Sequence, residues 1–203
     1  MVVADRPVNR IALFIDGLNL YATSRALGFD IDHRLLLKQF ESQGTLLRAF
    51  YYTRTSEDLE VSSVRPFIDW LDYNGFTVIT KPTRACIDTS GQRVVKCSMD
   101  IDLAVDVLEL AGHVDRIVLF SGDGNFRRLV MAVQRRGVHV TVVSTGATQP
   151  AMVAHGLRRQ ADAFIDLLEL KPKIGRIVTG RPRAALGTDQ STSLRGRGAE
   201  PMI

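Results

Sequence analysis

The stretch IALFIDGLN, residues 11–19, decides how the chain is read. The run Ile11–Ile15 is apolar at every position, so it has no polar face to turn to water. A strand apolar on both faces belongs inside a parallel sheet with helices covering each side. The run ends at Asp16-Gly17. In open sheets of this kind, ligands bind outside the carboxyl ends of the strands. An Asp-Gly pair is also an ordinary turn signal, but directly after a buried strand the switch-point rule favours a site.

Reading outward, short apolar runs alternate with helical periodicity. Asn19–Leu27 and Asp32–Glu41 read as helices, the second capped by Asp32. Leu46–Tyr52 is the next strand, and Asp58–Tyr73 a helix stopped by Asn74-Gly75. Phe76–Thr80 is β-branched and strand-like. Arg84–Ile87 and Arg93–Cys97 flank Asp88-Thr-Ser-Gly91, a hairpin or loop signal. Ile101–Ala111 is a helix, Ile117–Phe120 a buried strand, and Asn125–Arg136 a helix closed by Gly137. Val138–Val143 is a strand, Met152–Gln160 a helix and Phe164–Leu167 a short last strand. This alternation predicts an α/β fold with a mostly parallel sheet and right-handed crossovers.

Composition bounds the answer. The chain has 203 residues and is 45% hydrophobic, enough for one domain with a core. Its longest apolar runs are too short to span a bilayer, and MVVADRPVNR has no signal-peptide core. Cys86 and Cys97 lack metal-ligand spacing and read as reduced thiols of a cytoplasmic protein, with pairing across the hairpin the lesser alternative. The net charge of +4 is uneven: residues 171–203 hold seven Lys or Arg against Asp189 and Glu200, so that segment is +5 and the rest −1. We therefore expect a domain over residues 1–170 and a basic, disordered tail over 171–203. The tail would add phosphate affinity or serve only as a solvated end.

Three segments place acids at one rim: Asp16 after the first strand; Asp100, Asp102 and Asp106 around the start of the 101–111 helix; and Asp123 in Ser121-Gly-Asp-Gly-Asn125 after Ile117–Phe120. Each has a plainer reading. Asp100 would cap its helix, Asp102 and Asp106 would share a solvated face, Asp123 would form a turn, and Asn125 would cap the following helix. Their recurrence at successive strand ends is harder to explain that way. Clustered carboxylates repel one another unless a cation offsets the repulsion, and oxygen donors suit Mg²⁺ or Mn²⁺. The four histidines are scattered, and no GxGxxG or Walker motif is present.

FIDGLNLY (14–21), KCSMDIDLAVD (96–106) and LFSGDGNFRRLV (119–130), with VTVVST (140–145) and LRRQADAFIDL (157–167), resemble the NYN domain family in its LabA-like branch, related to PIN nucleases. The resemblance covers roughly residues 8–170. It implies a three-layer α/β/α PIN-like, Rossmann-like fold and metal-dependent hydrolysis of RNA. It carries catalytic and metal-binding roles onto Asp16, Asp100 and Asp123, and a ligand role onto Asn125. Asn19, Asp102, Asp106 and Ser121 would support them, and Lys96 and Arg127 would hold substrate. Where the family commonly has an aspartate, position 125 is asparagine, which keeps an oxygen but loses a charge. RNA is the expected partner and a membrane is not; homo-oligomerisation stays open. A haloacid-dehalogenase phosphatase would need an acid where Leu18 stands, and a Toprim domain an early glutamate that is missing. The serious rival is a module of this family that binds RNA or protein with little or no cleavage.

Overall fold

The computed structural model describes residues 9–55, 64–87, 93–96 and 98–176, with backbone alone for 84–87 and 93–96. Six strands form the main sheet: β1 (Arg10–Asp16), β2 (Thr45–Thr55), β3 (Thr77–Pro82), β6 (Arg116–Phe120), β7 (His139–Ser144) and β8 (Ala163–Asp166). Their order is β3-β2-β1-β6-β7-β8, and every pairing is parallel. The hairpin of β4 (Arg84–Ile87) and β5 (Arg93–Lys96) is antiparallel and lies outside that sheet.

The doubly apolar run of β1 now has its cause. Ile11, Leu13 and Ile15 enter one core, and Ala12 and Phe14 enter the other. All five are 0% exposed. The first core is roofed by α1 (Gly17–Ala26), α2 (His33–Glu41), α3 (Arg65–Tyr73) and α7 (Leu167–Ile174) through Leu20, Leu36, Phe40, Leu71 and Leu170. The second is roofed by α4 (Asp100–Leu110), α5 (Arg127–Gln134) and α6 (His155–Gln160) through Leu103, Val107, Val130 and Leu157. This is the expected three-layer α/β/α architecture. Among the described residues, no helix is long and apolar enough to cross a membrane.

Sheet order positions the site. From β1 the chain winds outward through β2 to β3, then returns to place β6 on β1's other side. The strand order therefore reverses at the β1/β6 pair, and a crevice is expected at their carboxyl ends. Ile15 lies opposite Phe120, and Asp16 opposite Tyr52.

Several expected boundaries move. The helix expected from Asp58 is described only from Arg65; residues 56–63 lie outside the described residues, as does the pairing state of Cys86 and Cys97. The helix expected at 125–136 begins as a 3₁₀ turn, Gly124–Phe126, and becomes α5 only at Arg127. It ends before Gly137, whose φ is +79°. The helix expected from Met152 starts at His155. The largest correction concerns the boundary after residue 170, which falls inside α7. Ile174 is fully buried, the Asp32 N–H donates to its carbonyl at 2.8 Å, and the Arg176 N–H donates to Asp30's. Leu167, Leu170 and Ile174 keep helical spacing. Two lysines and Pro172 masked that pattern, and folded structure reaches Arg176. The rest of the expected tail lies outside the described residues.

Candidate active site

Asp16 closes β1 and caps α1: its Oδ1 accepts the Asn19 N–H at 3.1 Å. Its Oδ2 accepts the Ser121 hydroxyl, from the end of β6, at 3.2 Å. The Asn19 Oδ1 reaches back across the crevice to accept the Gly122 N–H at 3.0 Å. The Ser121 Oγ also accepts the Asp123 N–H, and Asp123 Oδ1 accepts the Asn125 N–H at 2.8 Å. One continuous network thus ties the two strand ends at the point where the sheet order reverses.

Glycine at 17 and 122 is what lets these segments meet. A Cβ on Gly17 would stand 2.8 Å from the Tyr52 carbonyl oxygen and overlap the Tyr51 ring. A Cβ on Gly122 would run into the Met152 carbonyl and stand 2.7 Å from Ser144 Oγ. Neither glycine has a positive φ. The demand at both positions is for room, not for an unusual backbone.

Burial raises the pKa of Asp16. The bonds from Asn19 and Ser121 pull it back, and the negative charges of Asp100 and Asp123 push it up again. The three expected acids are therefore electrostatic neighbours. Among the described residues, no three His, Cys, Asp or Glu side chains form a group that could hold a metal ion. Each carboxylate oxygen nonetheless keeps lone pairs beyond the bonds named.

The remaining expected residues divide. Asp100 is not the cap of α4; that position is Met99, with no side-chain capping bond. Asp100 is the first helical residue, its N–H held by Ser98 Oγ, where the helix dipole favours an anion. Asp102 pairs with Lys81 at 2.8 Å. Asp106 accepts the Tyr52 hydroxyl at 2.7 Å. That hydroxyl's pKa is raised, by burial first and then by the bond to Asp106. Asn125 is not a helix cap either: Asp123 caps the 3₁₀ turn and Phe126 precedes α5. Arg127 is exposed in the first turn of α5. The Lys96 side chain lies outside what is described, although its backbone pairs with Arg84.

Sequence reasoning missed Tyr52 and Lys81. Both lie at the carboxyl ends of strands, β2 and β3, where the same rule that selected Asp16 applies. A tyrosine in an aromatic strand and a lysine before proline carried no acidic signature to draw notice.

Comparison with known proteins gives the family and the fold. The NYN domain family model matches residues 10–169. The low amplitude and bright protein LabA of Synechococcus elongatus is 35% identical over 184 residues, covering 89% of this chain and 94% of LabA. A crystal structure of a Vibrio parahaemolyticus protein of unknown function superposes with a TM-score of 0.66 at 28% identity, over 79% of this chain and 93% of that one. The sheet order, the strand-end acids and the family match converge: the chain belongs to the NYN domain family.

Proposed function

We propose that this protein is a ribonuclease that hydrolyses RNA phosphodiester bonds at the β1/β6 crevice with a divalent cation. The observation that carries the reading is the carboxylate of Asp16, half-buried at the switch point, tied to both strand ends and repelled by Asp100 and Asp123. The fit is chemical: these acids offer oxygen donors alone, the set that Mg²⁺ and Mn²⁺ take. No lysine or arginine is bonded to Asp16 among the described residues. Asp16, Asp100 and Asp123 would hold the ion, with Asn125 as a neutral fourth donor. When bound, such an ion activates water and offsets charge on the phosphate.

The chain's own groups do the remaining work. Ser121 and the Asn19 N–H fix the Asp16 carboxylate, one oxygen each. Lys81 neutralises Asp102, so that acid adds less repulsion to the cluster. Tyr52 holds Asp106 in place from β2. Arg127, exposed in the first turn of α5, and Lys96 would meet the phosphates of the strand. The test is incubation of structured and unstructured RNA with Mn²⁺, Mg²⁺ or EDTA. Cleavage with either ion, abolished by EDTA and by Asp123→Asn, is expected; intact RNA under every condition refutes the reading.

A second reading is favoured by position 125, where the family resemblance implies an aspartate and the chain has asparagine. Under it the domain binds RNA without cutting. Retention of labelled RNA with no products at any metal concentration is its signature.

A further inference from the structure

A cavity of about 420 Å³ lies on the face of the sheet opposite α4. Its wall begins at Gly17 and Leu18, the residues next to Asp16, and continues onto Tyr51, Thr53 and Arg54 of β2. The acids and the cavity therefore share the carboxyl end of β1 but look to opposite sides of the sheet.

The lining combines apolar surfaces with two arginines, Arg54 half-buried and Arg176 exposed. Leu18 and Tyr21, three residues apart on α1, are 40% and 51% exposed and form the mouth. Phe67 of α3 supplies a second aromatic wall. Arg54 lines the cavity, and its Nε is buried with no hydrogen-bond partner among the described residues. A buried unpaired donor is uncommon and marks a position where an acceptor from outside would be welcome. Arg176 adds a second cation, against one already partnered aspartate, Asp30. His33 is neutral at pH 7, because burial first, and the charge of Arg176 second, lower its pKa to about 4. Among the described residues the lining is thus net positive by one.

These features select among ligand classes. A purely apolar ligand would leave the Arg54 Nε unpaired. A free phosphate would leave the leucine and aromatic walls uncovered. A flat aromatic ring carrying an acceptor and an anion satisfies both, and the volume falls within the range of small-molecule sites. Unstacked bases are held by aromatic faces and by arginine in this way. We propose that the cavity receives one unstacked nucleotide of an RNA strand, its base against Tyr21 and Phe67 and its acceptor groups on Arg54, with the adjoining phosphodiester led over Gly17 to the acids. In naming RNA the proposal rests on the function given above.

The experiment uses the full-length protein in EDTA, so that binding is read without cleavage. Calorimetry measures the four nucleoside 5′-monophosphates, a short single-stranded oligoribonucleotide, and ribose 5-phosphate as the baseless control. Trp70, the chain's one tryptophan, reports location, because its ring centroid is 6.4 Å from that of His33 on the cavity wall. Saturable binding of nucleotides and oligonucleotide is expected, with a Trp70 fluorescence change and no binding of ribose 5-phosphate. Arg54→Gln and the exposed Tyr21→Ala should each weaken it about tenfold, and Gly112→Ala, just after α4 and outside the cavity lining, should leave it unchanged. Binding of mononucleotides but not the oligonucleotide would overturn the assignment to RNA. Binding unaltered by both variants, or no binding, would overturn the cavity. RNA cleavage by wild type with unchanged KM in both variants would sink the cavity alone. Nucleotide binding lost in the variants, with no cleavage under any metal, would instead sink the ribonuclease reading and leave the cavity standing.

Discussion

Gly122→Ala is the sharpest probe of how the two strand ends are held together. The added methyl would collide with the Met152 carbonyl and press on Ser144 Oγ, 2.7 Å away. The first obstacle is backbone, so rotating a side chain gives no relief. Either residues 152–154 move out, breaking the bond from the Ala154 N–H to the Gly122 carbonyl at 2.9 Å, or Gly122 retreats and loses its bond to Asn19 Oδ1. Overpacking of this kind costs about 1–3 kcal/mol, and one lost hydrogen bond adds about 1 kcal/mol. The expected loss is therefore about 2–4 kcal/mol. Urea unfolding followed by Trp70 fluorescence measures it as a lower midpoint at unchanged slope. Gly112→Ala is the control, since a Cβ there meets nothing within 4 Å and no positive φ is involved; it should be neutral or slightly stabilising, by up to about 1 kcal/mol. RNA cleavage by Gly122→Ala should fall more than its folded fraction does, because Asp123 and Ser121 move with it. A midpoint within about 0.5 kcal/mol of wild type, together with full activity, would refute the close approach and the role given to the network.

Three further outcomes are expected. Asn125→Asp should cleave RNA at a lower metal concentration than wild type, since ligand charge strengthens hard-cation binding; superimposable metal titrations would remove residue 125 from the site. Truncation after Arg176 should preserve the thermal midpoint and weaken RNA binding mainly at low salt, whereas truncation after Leu170 should destabilise by about 2–5 kcal/mol through loss of the buried Ile174; equal midpoints would place the boundary back at 170. The third concerns His33, whose pKa of about 4 in the folded state lies below its ordinary 6.5. The unfolded chain binds the proton more readily, so stability is full above about pH 6.5, declines as pH falls toward 4, and levels off below. The full shift corresponds to about 3 kcal/mol, and partial access through the cavity reduces this to about 2 kcal/mol. His33→Phe should flatten that part of the pH–stability curve, and an unchanged slope would show that the ring titrates normally.

The sheet was legible because its strands are buried on both sides. Ile11–Ile15 and Ile117–Phe120 must be apolar at every position to serve two cores at once, and no other arrangement of so short a run explains that. The helix ends were less legible for a local reason. SGDGN reads as the start of a helix at Asn125, yet the Asp123 side chain captures the Asn125 N–H and winds a tight 3₁₀ turn first. The end of the domain was hidden by competing signals: Lys171, Pro172 and Lys173 read as solvent-facing and helix-breaking, while the buried stripe of Leu167, Leu170 and Ile174 runs beneath them.

The acids were legible one by one, because each follows a strand or opens a helix, and position alone carries that information. What joins them was not. Asn19 lies three residues beyond Asp16 and Gly122 more than a hundred beyond, and only the reversal of strand order brings the side chain of one to the backbone of the other. The partners of Asp102 and Asp106 came from β3 and β2, strands with no acidic motif of their own. The cavity was less visible still, because its walls come from α1, α2, β2, α3 and Arg176 two residues beyond α7, with no spacing rule connecting them. Arg54 shows why: in sequence it is one cation in an ordinary strand, and only burial without a partner separates it from the other arginines. Strand-end chemistry is local and can be read from sequence, whereas an unpaired donor is defined by what fails to reach it, and that depends on the whole fold.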